Sequence, residues 1–257
     1  MPVGASRVST IGRVGVSIPD SVVYRWENPI DGLSDQDTVS TWPHEIGGID
    51  MEMVGSPIYD ESGLNDTPGV DFGDGSEYGE LGDVSDFFDV FPGKHAIAYS
   101  VYLPENPSDE AYMGTSPGGP NTIWRVDYGR FNASDGAIGY QIRDEDRNNV
   151  EINTTDTFDD DDTHFIVINA TGISGSDLDI YVDDMENPVD VTVEEDDDLT
   201  GEIVDLDGDD APFLAGVNND GGDLIGSADM TVGTVSLLND SLNESERKSL
   251  KDEELWT

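Results

Sequence analysis

The sequence predicts an all-β protein: an antiparallel β-sandwich with one short helix near its C-terminal end. Three observations support this class. Apolar residues cluster in short runs of β-branched and aromatic side chains, such as Phe165-Ile166-Val167-Ile168. Several other runs alternate apolar and polar residues, as half-buried strands do. Turn-forming Gly, Asn, Asp and Pro separate nearly all of the runs. A chain of 257 residues is long enough for one such domain.

The predicted strands, in chain order, are 22–26, 50–54, 69–72, 95–103, 123–128, 137–143, 150–153, 164–169, 178–183, 189–193, 213–217 and 230–238. The segment 95–103 alternates most clearly. One face carries His95, Ile97, Tyr99, Val101 and Leu103, and the other carries Ala96, Ala98, Ser100 and Tyr102.

The one predicted helix follows the last strand. Ser241 and Glu244 have the spacing of a capping box, with Ser241 as the N-cap and Glu244 three residues later. Acidic residues occupy the first turn, and Arg247, Lys248 and Lys251 come later, an order that suits the helix dipole.

The charge of the chain excludes several classes of protein. It has 57 Asp and Glu against 11 Lys and Arg, a formal net charge of −46. Nucleic-acid binding and attraction to anionic membranes need clustered basic residues, so both are excluded. The absence of Cys excludes disulfides and thiolate sites. Such an acidic, Lys-poor surface is typical of proteins from extreme halophiles, since molar salt screens its self-repulsion.

Six segments, in the same order, resemble the concanavalin A-like jelly rolls of the laminin-G and pentraxin type. They are 22–26, 68–81, 95–103, 179–184, 211–216 and 230–247. Two positions depart from the family pattern. Tyr99 or Val101 stands where the family has Trp, and Asp184 stands where the family hairpin has Gly. The resemblance implies a jelly-roll sandwich over residues 21–257 that binds sugar or protein, and it does not fix a function.

Aromatic residues suggest a sugar-binding site. Tyr112 begins a long loop rich in Gly and Pro, and Trp124 and Tyr128 follow it. An exposed ring in such a loop stacks on a pyranose, so Tyr112, Trp124 and Tyr128 are the candidate ligand-binding residues. The alternative for Trp124 and Tyr128, which alternate along a strand, is a place in the core.

Carboxylates suggest a metal site. Asp205, Asp207 and Asp209 lie in a six-residue acidic turn around a Gly, and hard oxygen ligands are those that Ca²⁺ or Mg²⁺ requires. The turn lacks the spacing of an EF-hand, and the alternative is a solvated acidic loop. Laminin-G and pentraxin relatives often hold calcium in loops at one end of the sandwich, so the resemblance also implies Ca²⁺.

A calcium site predicts a specific gain in stability. We expect Ca²⁺ to raise the melting temperature above that in NaCl of the same ionic strength, because a ligand of the native state stabilises it by mass action. Asp207→Asn should remove most of the gain. Equal melting temperatures in Ca²⁺ and in added NaCl would leave only the solvated loop.

Catalysis is not expected. Concanavalin A-like glycoside hydrolases commonly carry a Glu-x-Asp-x-x-Glu strand, and this string does not occur. The nearest acidic pairs, Glu45 with Asp50 and Glu151 with Asp156, have the wrong spacing. His95 and His164 begin apolar strands and are predicted to be hydrogen-bonded structural residues, whereas His44 lies in a predicted loop.

Residues 1–20 are predicted to be an anchoring arm, because they carry Arg7 and Arg13 but only one acid. The expected function is that of a non-enzymatic surface protein on the virion of a haloarchaeal tailed virus. The arm would attach a homo-oligomer to a capsid or tail protein, and the sandwich would bind host glycan or glycoprotein. The alternatives are a haloarchaeal cell-surface adhesion domain and, less favoured, a glycan-active hydrolase or lyase. No nucleic acid and no membrane insertion are expected.

Overall fold

Two mainly antiparallel sheets form the fold, which is described from a computed structural model. The described residues are 18–73, 75–89, 93–103, 110–116, 123–128, 136–158, 161–200, 211–219, 223–225 and 229–254. Sheet A contains β1 (Val22–Trp26), β3 (His44–Ile46), β5 (Ile58–Leu64), β6 (Thr67–Phe72), β8 (His95–Leu103), β13 (Asp162–Ala170), β14 (Leu178–Val182) and β19 (Met230–Leu238). Sheet B contains β2 (Thr41–Trp42), β4 (Met51–Val54), β7 (Tyr78–Glu80), β9 (Glu110–Ser116), β10 (Ile123–Tyr128), β11 (Ile138–Arg143), β12 (Asn149–Thr154), β15 (Val191–Asp196), β16 (Phe213–Leu214), β17 (Gly216–Asn219) and β18 (Asp223–Ile225).

The strand order shows how distant parts of the chain meet. In sheet A the order is β14-β13-β8-β19-β1-β3, with β6 also beside β19 and β5 beside β6. In sheet B it is β15-β12-β11-β10-β9-β16-β7-β4-β2, and β17 pairs with β9 and β18. Three short helical segments complete the fold: α1 (Ser85–Phe88), a 3₁₀ turn (Gly175–Asp177) and α2 (Glu244–Glu254). No helix in the described part of the chain is long and apolar enough to cross a membrane.

The main core lies between the two sheets and contains a closed network of aromatic and polar groups. Trp124 Nε1 donates a hydrogen bond to the Tyr140 hydroxyl at 3.0 Å, and that hydroxyl lies 2.6 Å from His95 Nε2. His95 Nδ1 lies 2.8 Å from the Gly93 carbonyl oxygen, which can only accept, so Nδ1 carries the proton and Nε2 is the acceptor. His95 is therefore the hydrogen-bonded structural histidine that the sequence predicts.

A second, smaller core covers the opposite face of sheet A. Ala96, Ala98, Phe165 and Val167 face it, and α2 with its preceding turn closes it with Leu242 and Leu250. Strand β13 is consequently buried on both faces, which explains its continuous apolar run. The two faces of β8 also separate as the alternation predicts, because Ile97, Tyr99, Val101 and Leu103 belong to the main core.

The capping residue of α2 differs from the sequence prediction. The helix begins at Glu244, and Asn243 caps it: Asn243 Oδ1 accepts from the Glu246 backbone N–H at 3.2 Å, and Glu246 Oε2 accepts from the Asn243 N–H at 2.9 Å. Ser241 cannot be the cap, because Leu242 is held outside the helix. Its N–H donates to Asn169 Oδ1 at 2.6 Å, and its side chain is buried in the second core.

Candidate ligand-binding face

The aromatic residues predicted to bind a sugar lie in the core. Tyr112, Trp124 and Tyr128 are each 0% exposed. Tyr112 stacks on Tyr99 with ring centroids 3.9 Å apart, and the Tyr99 and Tyr128 hydroxyls are 3.3 Å apart. The prediction that these three rings form a stacking surface is therefore wrong, and the alternative, a place in the core, holds for all three.

The other predicted site residues are not brought together. Asp205, Asp207 and Asp209, and the arm residues Arg7 and Arg13, lie outside the described residues. No group of three or more His, Asp or Glu that could hold a metal ion occurs among the residues that are described.

The acidic pairs considered from the sequence find other partners. Glu45 accepts a hydrogen bond from Arg25 Nε at 2.7 Å, and Asp50 Oδ1 lies 2.6 Å from His44 Nδ1. Glu151 faces a third group of residues, on the outer side of sheet B, and this face forms the candidate site.

The outer face of sheet B carries a row of polar residues on consecutive strands. Arg125 of β10 lies opposite Gln141 of β11, Gln141 lies opposite Glu151 of β12, and Glu151 lies opposite Glu195 of β15. Alternation places them away from the core, since their neighbours Trp124, Val126, Tyr140, Ile142, Val150 and Ile152 all belong to it. We call this group, with its immediate neighbours, the polar strip: Arg125, Asp127, Gln141, Asn149, Glu151, Asn153 and Glu195.

Hydrogen bonds link most of the polar strip. Arg125 Nε lies 2.5 Å from Asp127 Oδ2. Gln141 Nε2 donates to Asn149 Oδ1 at 3.0 Å and to Glu151 Oε2 at 3.1 Å. Asn149 Nδ2 in turn donates to Glu195 Oε2 at 2.5 Å. The strip is buried along its middle, where Gln141 is 3% exposed, and it opens to solvent at Glu195.

Two buried amide atoms on the polar strip are left over. Gln141 Oε1 has no hydrogen-bond partner among the described residues, because both of its bonded neighbours are reached through Nε2. Asn153 Nδ2 also makes no hydrogen bond of full geometry to a described residue, although the Asn153 amide is close enough to Glu151 to favour the ionised carboxylate. Buried polar atoms are bonded in more than about 90% of cases, so these two mark a place for a ligand or water.

Burial also alters the chemistry of Glu151. Loss of solvent raises the pKa of its carboxyl group above the ordinary value, and the positive charge of Arg125 lowers it in part. The polar strip therefore contains a partly desolvated acid two strands away from the Arg125–Asp127 ion pair.

An aromatic pair lies near the polar strip on the same face. Tyr78 and Phe213 stack with centroids 4.2 Å apart. Leu214 belongs to the main core, so its neighbour Phe213 points outward. Phe213 pairs with Gly114 of β9, and Gly114 pairs with Arg125. Tyr78 is half-buried, so the pair offers part of an aromatic face to solvent.

Two glycines on this face leave room for the polar side chains. A Cβ at Gly114 would lie 2.6 Å from Arg125 Cβ, closer than any real contact. A Cβ at Gly139 would lie 2.6 Å from Asn153 Oδ1 and 3.8 Å from Asp127 Cβ. Side chains larger than hydrogen are therefore excluded at Gly114, and at Gly139 they would displace the Asn153 amide.

The sequence contained a signal for this site that the analysis above did not use. Strands 123–128, 138–143 and 149–154 each carry amides or charges at the alternate positions that face away from the core. Solvated faces commonly look the same, and only the burial of the side chains separates a site from such a face.

Comparison with known proteins identifies the fold and not a family. No protein-family model and no curated protein matches the sequence. Among solved structures, the binding domain of botulinum neurotoxin serotype C1 is similar, with a TM-score of 0.61 and 12% identity over 94% of this chain and 54% of that one.

Two further structures are similar at the same level. Botulinum neurotoxin type C, whose uptake into cells depends on interaction with two ganglioside molecules, matches with a TM-score of 0.57 and 12% identity over 93% of this chain and 53% of that one. Trypanosoma rangeli sialidase in complex with sialic acid matches with a TM-score of 0.56 and 13% identity over 92% and 33%. This chain thus spans a third to about half of these proteins, and at such low identity the similarity shows the fold alone. The protein is an all-β sandwich of the architecture found in these binding domains.

Proposed function

We propose that this chain is a non-catalytic binding domain that takes a saccharide of a cell-surface glycan or glycoprotein along the polar strip. One observation is central to the proposal: Gln141 Oε1 is buried and has no partner among the described residues, beside side chains that are otherwise linked to one another. A ligand hydroxyl would supply the missing donor and remove the cost of about 1–3 kcal/mol that an unpaired buried polar atom carries.

The composition of the face suits a sugar. Saccharide hydroxyls both donate and accept, so one ring can bond to Gln141 Oε1 and to the Asn153 amide. The Tyr78–Phe213 pair lies beside these groups and offers an apolar ring face, as saccharide sites commonly do. The similarity to a neurotoxin that interacts with gangliosides and to a sialidase bound to sialic acid agrees with a saccharide ligand.

Substitution of Gly139 tests the site without removing any polar group. In Gly139→Ala the new methyl group would meet the end of the flexible Asn153 side chain, so we expect the amide to move and the core to stay intact. We expect saccharide binding to weaken by about tenfold, equivalent to about 1.4 kcal/mol. The measurement is binding to a printed array of neutral and sialylated oligosaccharides in multimolar KCl.

The matched control is Gly73→Ala, which adds the same methyl group where nothing lies within 4 Å of it. This variant should bind like the unmodified protein and melt at the same temperature. Unchanged binding by Gly139→Ala, with binding detected in the unmodified protein, would show that the ligand lies elsewhere.

A glycan-cleaving enzyme is the second candidate, and the raised pKa of Glu151 is the observation that favours it. A protonated acid near an ionised carboxylate, here Asp127 beside Arg125, is the kind of pair that glycosidases use. We favour binding, because Asp127 is already paired with Arg125 and lies two strands away from Glu151. Release of reducing ends from a bound oligosaccharide, abolished in Glu151→Gln, would decide for the enzyme.

The biological setting is a further part of the proposal. The net charge of −46 supports a halophilic source, and the basic segment around Arg7 and Arg13 supports attachment to an acidic partner. We propose a host-attachment protein on the virion of a haloarchaeal virus, present as a homo-oligomer and holding Ca²⁺ at Asp205, Asp207 and Asp209. Proteomic detection on purified particles supports this setting, and detection only on uninfected cells supports the adhesion domain instead.

A further inference from the structure

We infer that the polar strip selects an uncharged saccharide and rejects one that carries a carboxylate or sulfate group. The inference rests on the proposed function, since it names the class of ligand for that same site. It goes further in one direction that the similar structures do not suggest, because sialic acid is itself an anion.

The first argument concerns hydrogen-bond direction. Gln141 Oε1 is an acceptor, and the carboxylate oxygens of Glu151 and Glu195 are acceptors as well. Both Nε2 hydrogens of Gln141 are already used, in bonds to Asn149 and Glu151. A ligand must therefore supply donors to this part of the strip. Hydroxyl groups donate, whereas ionised carboxylate and sulfate groups only accept.

The second argument concerns charge. Five carboxylates of described residues lie on or beside the outer face of these strands: Glu80, Asp127, Glu151, Glu195 and Asp197. Two guanidinium groups, those of Arg125 and Arg143, lie there with them. Arg125 is already paired with Asp127 at 2.5 Å, so it does not serve as an open anion site. A ligand anion would add a sixth negative charge beside the buried Glu151, and like charges brought together at an interface cost several kcal/mol.

The third argument separates this local effect from the charge of the whole protein. The net charge of −46 repels every anion at low salt, but at about 1 M salt the Debye length falls to about 3 Å and the long-range part is lost. Glu151 is largely removed from solvent, so its repulsion of a bound anion is screened much less. Selection by the strip should consequently persist in molar salt.

The test compares two probes that differ in charge alone. Binding of lactose-terminated and sialyllactose-terminated glycans is measured on the full chain, at 1 M and at 3 M KCl. We expect the neutral glycan to bind at least about tenfold more tightly at both concentrations. In Glu151→Gln and Glu195→Gln the difference should shrink, because each replaces a carboxylate with an amide that can also donate. Asp252→Asn, on the exposed side of α2, removes one negative charge elsewhere and should leave the difference unchanged.

Each outcome decides the inference. Equal binding, tighter binding of the sialylated glycan, or a preference that disappears at 3 M KCl would overturn it and leave the proposed saccharide function intact. An unchanged preference in both glutamine variants would also overturn it, because the polar strip would not be its source. Failure of every saccharide to bind would instead remove the proposed function itself.

Discussion

Transfer of the protein from multimolar KCl into about 0.05 M salt should unfold it or loosen it greatly. Dilution lengthens the range of repulsion among a net charge of −46. The structure adds specific like-charge contacts. Glu52 lies directly opposite Glu80 on neighbouring strands, and Glu151 lies opposite Glu195, an arrangement that destabilises a strand pair. Circular dichroism during stepwise dialysis measures the loss of strand signal.

The same contacts predict where the loss begins. Strand β15 pairs with β12 at the end of the sheet order, and five of its six residues are exposed. Its acids should separate from β12 first, so amide exchange of Val191–Asp196 should accelerate at salt concentrations that still protect Met230–Leu238. A spectrum unchanged through the dialysis would contradict the salt prediction and, with it, the halophilic interpretation of the composition.

Acidification should destabilise the protein through His95. Burial lowers the pKa of His95 to about 4, whereas the unfolded chain has the ordinary value near 6.5. Between these values the unfolded state binds a proton that the native state does not, so the contribution is present above about pH 6.5 and is lost as the pH falls to about 4. The loss amounts to about 3 kcal/mol. Denaturant unfolding in 3 M KCl, at several pH values, measures it.

The many carboxylates also titrate in this range, so the comparison must be with a variant. His95→Gln keeps a polar side chain beside the Tyr140 hydroxyl but cannot take up a proton. Its stability should be lower than that of the unmodified protein at pH 7, and it should lose about 3 kcal/mol less between pH 7 and pH 4. Parallel pH profiles for the two proteins would show that His95 does not remain neutral in the native state.

The alternation of apolar residues predicted much of the sandwich. Strands Val22–Trp26, His95–Leu103, Ile123–Tyr128 and Met230–Leu238 have the predicted bounds, because each places one clear apolar face against the core. Strand β5 was missed, since its sequence Asp60-Glu61-Ser62-Gly63 is polar. It is held by pairing with β6 through a two-residue turn in which Asn65 and Asp66 both have positive φ.

The candidate site was predicted less well, for a physical reason. A sequence shows which residues alternate but not which alternate face is covered, so Trp124 and Tyr128 were placed correctly only by the alternative. The predicted strand 213–217 shows the same limit. It is divided at Ala215, which has a φ of 59°, and this break turns Phe213 toward the outer face beside Tyr78. Nothing in the local sequence announces a left-handed Ala.

The packing of α2 on sheet A gives the molecule a back and a front. Ile18, where the described chain begins, packs against the same small core that α2 covers, and the described chain ends in α2 itself. Both attachment points thus leave from one side, while the polar strip looks out from the opposite sheet. A bead, a particle or a neighbouring domain joined at either end would present the strip to the surroundings without blocking it. Immobilised protein should therefore retain the ligand affinity of protein in solution.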